Sequence, residues 1–341
     1  MDKLNIAVVY GGPSSERQIS IQSGRYVASV LDRAKYNVYE VLFDSNSWLM
    51  VEWDGDEMKT LGEVNRSDFS ACGVKFDAAF VTIHGIPGEN GLLQGYFEMV
   101  QVPFNTCSSF VCTVAFNKYS CKRFIADTGV RMAKDVFLQK GCRYDAAEIV
   151  EQLGLPLFVK PSDGGSSFGV TKVKEASRLS EAIAVAFKES DSVLIESAVV
   201  GREGTQGVYM ADGETRLLPI TEIVSENEYF DFEAKYLGKS NEICPAPIPD
   251  TLAEEISGWS RKIYEHLGCT GLIRIDYIVS QDGIYFLEIN TTPGMTQASI
   301  VPKMVRAAKL DITDFLSQIT DNCLSSSSFE RYEASIKNVK S

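Results

Sequence analysis

The chain of 341 residues is 45% hydrophobic and 23% charged, which is typical of a soluble globular protein with room for two or three domains. Its net charge of −13 and the lack of a basic run argue against nucleic acid as a general partner. The one long uncharged stretch, residues 99–117, contains polar residues and a proline and is not expected to span a membrane. Two histidines are too few for a histidine-rich zinc site.

The cysteine pattern indicates a reducing compartment. The eight cysteines show no C-x-x-C spacing and lie mostly among apolar residues. The opening residues, MDKL, do not resemble a signal peptide. We therefore expect reduced thiols in a cytoplasmic protein.

The amino-terminal part begins with a strand, a glycine turn and a helix. Residues 4–10 form a short apolar run that is typical of a buried parallel strand. The spacing of Ser15 and Gln18 predicts a capping box at the start of a helix that runs to about Leu31. Glu16 lies in the first turn of this helix, where an acidic side chain also complements the helix dipole. The turn lacks the G-x-G-x-x-G pattern, so no dinucleotide site is predicted.

Two further strands are predicted at residues 36–43 and 77–83, and the second leads into the loop HGIPGENG, residues 84–91. A glycine-rich loop after a parallel strand lies at the edge where α/β folds bind ligands. His84 and Glu89 could face a substrate carboxylate or amine there. A purely structural role for a single loop histidine is the alternative.

A second glycine-rich loop follows the predicted domain boundary at residues 103–109 and a predicted helix over 110–128. This loop, SDGGSSFG at 162–169, lies between two predicted strands. Because a strand follows it and G-x-x-x-x-G-K-[ST] is absent, it is not a Walker loop. We interpret it as a flexible lid with Lys160 at its base as a point charge for phosphate, and a plain hairpin turn is the alternative.

The clearest chemical pattern lies in two alternating strands near the carboxyl terminus. If residues 281–283 form a three-residue loop, Asp276 lies opposite Glu288 and Arg274 lies opposite Asn290. Opposed carboxylates repel each other unless a cation lies between them, and Asp, Glu and Asn oxygens suit Mg²⁺ or Mn²⁺ bridging phosphates. A solvated polar face is the alternative. The other face of this hairpin is predicted to be apolar and to carry Ile273, Ile275, Tyr277, Tyr285, Leu287 and Ile289.

Seven motifs make the chain resemble the D-alanine–D-alanine ligase family of ATP-grasp enzymes. They occur in the family's order and spacing from residue 4 to about 320: GGPSSER, HGIPGENG, KPSDGGSSFGV, VLIE, EAKY, GLIRIDY and LEINTTPGMTQASIVP. The resemblance implies an α/β (α+β) fold of three domains with ATP between the central and carboxyl-terminal ones. The expected division is 1–105 (substrate-binding α/β domain), 106–203 (central ATP-grasp domain), 204–322 (carboxyl-terminal domain with the metal site) and 323–341 (disordered tail).

The resemblance also implies the cofactor ligands. Lys118 and Lys160 would hold the ATP phosphates, Glu196 and Glu203 would hold adenine and ribose, and Lys235 would also contact the nucleotide. Two ions of Mg²⁺ (or Mn²⁺) would be bound by Asp276, Glu288 and Asn290.

Further implied residues surround the substrates. Those for the first D-alanine are Glu16, His84, Glu89 and Ser166. Those for the second D-alanine or the charged intermediate are Arg274, Gly294 and Ser299. Tyr236 in EAKY would couple the mobile loop to Ser166 and Glu16, and a tyrosine there fits dipeptide synthesis rather than D-alanyl-D-lactate synthesis.

The implied activity is ATP-dependent joining of two D-alanines for peptidoglycan synthesis, by a cytoplasmic homodimer that needs neither nucleic acid nor membrane. Asn90, Asn117 and Gln18 depart from the family's usual acidic residues but match no direct ligand. The run GREGTQG around Glu203 is an unusual version of the family's sequence at this place. The rival hypotheses are a ligase with another acceptor, such as D-lactate, and a non-enzymatic nucleotide-binding module. The presence of every implied metal and phosphate residue argues against the module. No residue is identified as the base for the second amine.

Overall fold

The first sheet is built around a buried parallel strand. The computed structural model describes residues 3–44, 46–165, 168–225 and 240–325. The first elements are β1 (Leu4–Gly11), α1 (Arg17–Val30), β2 (Tyr36–Phe43), β3 (Trp48–Asp54), β4 (Glu57–Glu63), β5 (Ser70–Ala71), β6 (Val74–Lys75), β7 (Ala78–Val81) and α2 (Leu92–Val100). The sheet order is β4-β3-β2-β1-β7, with β1 parallel to both neighbours. The predicted strands are confirmed, and the β3–β4 hairpin was not predicted.

A second, antiparallel sheet follows. Its region contains α3 (Ser109–Phe116), α4 (Lys118–Ile125), β8 (Arg131–Met132), β9 (Asp135–Gln139), α5 (Ala146–Leu153), β10 (Leu157–Pro161), β11 (Thr171–Val173), α6 (Leu179–Glu189) and β12 (Ser192–Ser197). The order is β11-β10-β12-β9, and α5 and α6 pack on it around a core of aliphatic side chains.

The third sheet holds the carboxyl-terminal hairpin. Its elements are β13 (Arg202–Ala211), β14 (Glu214–Leu217), β15 (Thr221–Ser225), β16 (Ser240–Ile243), α7 (Asp250–Leu267), β17 (Ile273–Ser280), β18 (Gly283–Asn290), α8 (Ile300–Ala307) and α9 (Ile312–Ser325). The order is β16-β15-β13-β17-β18-β8, and β14 pairs with β13. The short strand β8 runs parallel to β18 and so links the second region to the third sheet.

Two cores join these regions. One contains Tyr10 and Val27 from the first sheet and its helix together with Tyr209, Met304 and Phe315 from the third region. The other packs α3, α4 and α7 against β17 and β18. Helices α3 and α4, which we assigned to the central domain, thus share a core with the third sheet. The division into domains remains a prediction.

Three local predictions are wrong. The capping box does not form, because α1 begins at Arg17 with Glu16 at the N-cap and no side chain caps it. The single helix over 110–128 is two helices that break at Asn117, whose backbone is extended. The disordered tail predicted from residue 323 is wrong for residues 323–325, which belong to α9, and for 326–341, outside the described part of the chain, it stays a prediction.

The hairpin has the predicted functional pairs but a different loop. Asp276 lies opposite Glu288, and Arg274 lies opposite Asn290. The loop has two residues rather than three, because Ser280 pairs with Gly283, and a β-bulge at Leu287 restores the register.

The bulge also changes which side chains face the core. Ile284, Phe286 and Ile289 pack in the core of the third sheet. Tyr285 and Leu287, which we placed on that apolar face, instead line a cleft.

Two glycines within helices provide a matched test of packing. A Cβ on Gly24 of α1 would lie 2.2 to 2.6 Å from ring and Cβ atoms of the buried Tyr10, whereas nothing lies within 4 Å of a Cβ on Gly258 of α7. We expect Gly258→Ala to raise the free energy of unfolding by about 0.5–1 kcal/mol, because alanine loses less backbone entropy than glycine. We expect Gly24→Ala to lower it by about 1–3 kcal/mol through overpacking. Urea unfolding followed by circular dichroism measures both, and a stabilised Gly24→Ala would contradict the packing.

Candidate active site

Two clefts meet between the three sheets. The first cleft, of about 1000 Å³, lies between the β10–β12 side of the second sheet and the β17–β18 hairpin. The second cleft, of about 1250 Å³, lies between the loops of the first sheet and the carboxyl-terminal side of the hairpin. Lys118, Gly164, Gly165 and Glu288 line both clefts. A ligand in one cleft can therefore reach a ligand in the other at this junction.

The structure distributes the predicted site residues between these clefts. The first cleft is lined by Lys118, Lys160, Glu196, Glu203 and Glu288. The second cleft is lined by Glu16, His84, Glu89, Lys118, Arg274, Glu288, Asn290, Gly294 and Ser299. Asp276 lies behind the junction, opposite Glu288. Ser166, Lys235 and Tyr236 lie outside the described residues, so their predicted roles remain predictions.

The start of α4 fixes Lys118 at the junction. Asn117 caps this helix by accepting a hydrogen bond from the Ser120 backbone at 2.8 Å, and its amide donates to Asp163 at 2.8 Å. The Lys118 ammonium donates to the Gly164 carbonyl at 2.8 Å and lies 3.8 Å from Glu288. The cap therefore ties the lysine to the base of the glycine-rich loop.

Glu196 forms the centre of a buried ion cluster on the wall of the first cleft. Its carboxylate lies 2.7 Å from the Lys160 ammonium and 2.5 Å from the Lys122 ammonium, and Lys122 also lies 2.8 Å from Asp135. Burial alone would raise the pKa of Glu196, but the charges of Lys160 and Lys122 outweigh it and hold the pKa at about 2. At neutral pH this group is therefore a hydrogen-bond acceptor only. Our sequence analysis missed Lys122 and Asp135 as part of the site, although Lys122 follows Lys118 by one helical turn.

The predicted metal ligands face each other on β17 and β18. Asp276 is 2% exposed, and its carboxylate accepts hydrogen bonds from Arg274 at 2.9 and 3.0 Å and from the Thr205 hydroxyl. Glu288 and Asn290 border the second cleft. Asp276 Oδ1 already accepts two hydrogen bonds, from Arg274 and Thr205, whereas Oδ2 accepts one from Arg274 and keeps a lone pair for a cation.

This donor set fits a hard divalent cation. Within the described residues, no group of three or more His, Cys, Asp or Glu side chains forms a ready-made metal cage. Mg²⁺ usually takes one or two carboxylates from the protein and completes its shell with water and substrate phosphates. Glu288 lines the first cleft together with Lys118 and Lys160, and Asn290 lines the second. Asp276 lies opposite Glu288 on the neighbouring strand, so the three oxygen donors match that pattern.

The second cleft contains a buried histidine, and one of its ring nitrogens makes no hydrogen bond to the described residues. His84 Nδ1 lies 2.9 Å from the Thr292 carbonyl and 3.8 Å from Glu89, while Nε2 has no hydrogen-bond partner among the described residues. Burial opposes the charge on His84, but the carboxylates of Glu89 and Glu16 outweigh it and raise the pKa of the ring. A carboxylate in this cleft would give Nε2 the acceptor that it lacks.

Ser299 and Gly294 lie together at the far side of the second cleft. The Ser299 hydroxyl accepts a hydrogen bond from the Thr296 backbone at 3.0 Å and lies 2.7 Å from the Thr296 hydroxyl. A Cβ on Gly294 would lie 3.0 Å from the same Ser299 oxygen. A glycine at this position thus leaves the backbone close to the hydroxyl and open to the cleft.

Comparisons with known proteins place the chain in a family. The profile of the D-ala D-ala ligase N-terminus matches residues 5–107, and that of the D-ala D-ala ligase C-terminus matches residues 124–321. A D-alanine–D-alanine ligase of Phocaeicola vulgatus is 45% identical over 325 residues, 94% of this chain and 99% of the relative. That of Parabacteroides distasonis is 46% identical over 94% of this chain and 97% of the relative.

The chain belongs to the D-alanine–D-alanine ligase family. Among solved structures, the VanG D-Ala:D-Ser ligase from Enterococcus faecalis is 29% identical with a TM-score of 0.84, covering 94% of this chain and 100% of that one. The D-alanine–D-alanine ligase from Bacillus anthracis complexed with ATP is 27% identical with a TM-score of 0.77, covering 96% and 99%. The predicted ATP-grasp fold is confirmed, and the chain is an enzyme of the ligase class.

None of the described helices combines the length and apolar character that crossing a membrane requires.

Removal of the Glu89 charge should change the titration of His84. Because its folded-state pKa lies above the ordinary 6.5, protonated His84 stabilises the fold fully below that value, and this contribution is lost as pH rises through the raised pKa. We expect Glu89→Gln to lower the pKa of His84, since an attractive charge is lost while burial remains. NMR titration of the ring protons measures it, and the variant His266→Gln assigns the signals because the chain has only two histidines. An unchanged pKa would show that Glu89 does not set the charge of His84.

Proposed function

We propose that the protein uses ATP to join two D-alanine molecules into D-alanyl-D-alanine for peptidoglycan synthesis, and releases ADP and phosphate. The observation that carries this proposal is the junction of the two clefts at Lys118 and Glu288. ATP in the first cleft places its terminal phosphate there, next to an amino acid in the second cleft. The eight cysteines are free thiols, which agrees with action in the cytoplasm, where ATP is supplied.

The first chemical step activates a carboxylate. A carboxylate oxygen of the first D-alanine attacks the γ-phosphorus of ATP, the bond to the β-phosphate oxygen breaks, and ADP leaves. The product is D-alanyl phosphate. Lys118 and Lys160 offset the charge of the moving phosphoryl group, and positioning supplies most of the catalysis. His84, which lacks an acceptor at Nε2, binds the first substrate with Glu16 and Glu89.

The second step forms the peptide bond. The amine of the second D-alanine attacks the acyl carbon, loses a proton, and displaces inorganic phosphate. Negative charge develops on the carbonyl oxygen, and the Arg274 guanidinium and the Gly294 backbone N–H are the proposed donors to it. Ser299 binds the carboxylate of the second D-alanine. The acyl phosphate needs protection from water, which we assign to the glycine-rich loop and to the 225–243 segment, most of which lies outside the described residues.

We assign two Mg²⁺ or Mn²⁺ ions to Asp276, Glu288 and Asn290. When bound, such ions neutralise charge on the phosphates and orient them for transfer. Oxygen donors on neighbouring strands, next to the lysines of the first cleft, support this assignment. The roles that the resemblance implies for Lys235 and Tyr236 are part of this proposal, and both residues lie outside the described part of the chain.

We further propose that the enzyme is a homodimer. Leu92 and Met99 on α2 and Phe110 on α3 are large apolar side chains with exposed fractions of 64%, 84% and 57%. The two helices are neighbours in the fold, and apolar exposure of this kind is typical of association surfaces. The mass measured by sedimentation equilibrium would show a monomer if the proposal were wrong.

The acceptor is tested directly by phosphate release. A D-alanyl acceptor other than D-alanine is the second candidate, and the similarity to a D-Ala:D-Ser ligase supports testing it. We expect phosphate release from Mg-ATP with D-alanine alone, none with L-alanine, and a product with the mass of the dipeptide. Parallel reactions with added D-serine or D-lactate show by mass spectrometry whether mixed products dominate. If the main product contained D-serine or D-lactate, that compound would be the acceptor instead of a second D-alanine. If no reaction released phosphate, a nucleotide-binding module would be favoured.

The metal assignment is tested at Glu288. We expect Glu288→Gln to lower kcat by about 100-fold or more, because an ion that stabilises several kcal/mol of phosphate charge loses an anionic ligand. Phosphate release at saturating ATP measures the change. Glu214→Gln, on the exposed β14, is the matched control and should leave kcat unaltered. Near-normal activity of Glu288→Gln at ordinary Mg²⁺ would refute the assignment.

A further inference from the structure

A lysine in α4 is buried without lining either cleft. The side chain of Lys122 is 3% exposed. Its ammonium lies 2.5 Å from Glu196 Oε1 and 2.8 Å from Asp135 Oδ2, and it donates to the Ala133 carbonyl at 2.8 Å. An ammonium group has three N–H donors, so these three acceptors use all of them. Lysine is almost never buried to this extent unless it is paired, which points to a specific role.

The two carboxylates that Lys122 binds are direct cross-strand neighbours. Glu196 on β12 pairs with Asp135 on β9. Like charges directly opposite each other in a sheet repel, and the Lys122 ammonium lies within 2.8 Å of both. Lys160 binds the other oxygen of Glu196 at 2.7 Å, and Arg123 binds Asp135 at 2.5 Å from the exposed side. Lys122 is therefore the cation shared by the pair.

Two of the three residues that Lys122 contacts line the first cleft. Glu196 and the residue Ala133 both line it. Since Lys122 itself does not line the cleft, it acts on a ligand only through these two acceptors. It is a positioning residue.

The chemistry of this wall distinguishes purine bases. The Glu196 carboxylate is kept ionised by its two lysines, so both it and the Ala133 carbonyl can only accept hydrogen bonds. A 6-amino purine turned toward them donates N–H groups. A 6-oxo purine would instead place oxygen lone pairs against oxygen lone pairs, and a site with unpaired buried acceptors rejects such an analogue strongly.

On the basis of the proposed function, we propose that Lys122 fixes Glu196 and the Ala133 carbonyl as a pair of acceptors and thereby makes the enzyme select adenine over guanine nucleotides. Lys122 positions the two acceptors through its hydrogen bonds and through its positive charge. It joins β12 to β9 through Glu196 and Asp135, and it directs the turn before β9 through Ala133. Without it, the paired carboxylates would move apart and the wall would lose its fixed acceptors.

The test compares binding of ADP and GDP, each with Mg²⁺, to the full chain by isothermal titration calorimetry. We expect Lys122→Met to weaken ADP binding by about tenfold or more, the scale of a hydrogen bond to a charged group, with a smaller change for GDP. The ratio of the two affinities should fall accordingly. Lys140→Met removes a lysine from an exposed ion pair with Asp191 and should leave both affinities unaltered. This measurement needs no D-alanine and no turnover.

A pH series gives a second readout that a merely structural role would not change. In the wild-type chain the pKa of Glu196 is about 2, so this group stays ionised across pH 5 to 8. Loss of one of its two cations raises that pKa, and ADP affinity relative to wild type should fall further as pH decreases. The charged groups around Glu196 that enter this balance are Lys160 on β10, Lys122 and Arg123 on α4, Asp135 on β9, and Glu203 and Glu288, which act on Lys160.

The outcomes separate this inference from the function on which it rests. If wild-type protein does not bind ADP, the proposed function fails and the inference fails with it. If wild-type ADP binding is intact but Lys122→Met weakens ADP and GDP binding equally, or keeps the full preference for ADP, the inference alone is overturned.

Should Lys122→Met lose its cooperative thermal unfolding, Lys122→Gln takes its place, because a neutral amide also removes the charge but keeps hydrogen-bonding capacity. A lower ADP preference in that variant supports the inference, and an unaltered one overturns it.

Discussion

The active-site region depends on the neutralisation of carboxylates that its sheets place side by side. Glu196 and Asp135 face each other in the second sheet, and Asp276 and Glu288 face each other in the third. Removing one partner from a buried ion pair costs about 3–5 kcal/mol, because the other charge remains buried and uncompensated. The two pairs are therefore stabilised by the cations that lie against them. Lys122 contacts both members of the first pair, Arg274 on β17 binds Asp276, and Lys118 lies 3.8 Å from Glu288.

Helix α4 supplies cations to both sheets. Lys118 approaches Glu288, and Lys122, four residues later, binds Glu196 and Asp135. Residues at i and i+4 lie on one face of a helix, so a single helical face neutralises carboxylates of two different sheets. The helix is itself held by its buried residues Cys121 and Ile125 in the core against β17 and β18. The packing of this one short helix thus helps to set the placement of Glu196 relative to Glu288.

Much of the fold could be predicted from the sequence because its signals are local. The apolar run at residues 4–10 forms β1, and the strand predicted at 36–43 has those bounds in the structure. The site residues in the glycine-rich loops and the hairpin could be named because motifs carry them. What could not be predicted depends on tertiary contacts. Ser15 does not cap α1, since the preceding Ser14 donates to the His84 carbonyl and ties the turn to another loop. Lys122 has no local sign of burial, because lysines on amphipathic helices usually face solvent.

The β-bulge shows how one extra residue resolves a conflict that local rules cannot. The two-residue loop between β17 and β18, continued without interruption, would place Asp276 opposite Leu287 and separate the two carboxylates. The additional residue at Leu287 restores the pairing of Asp276 with Glu288. This bulge also places Leu287 in the lining of the first cleft beside Tyr285. An apolar part of that cleft and the alignment of the proposed metal ligands therefore arise together. The two-residue turn is thereby compatible with the register that the proposed metal site requires.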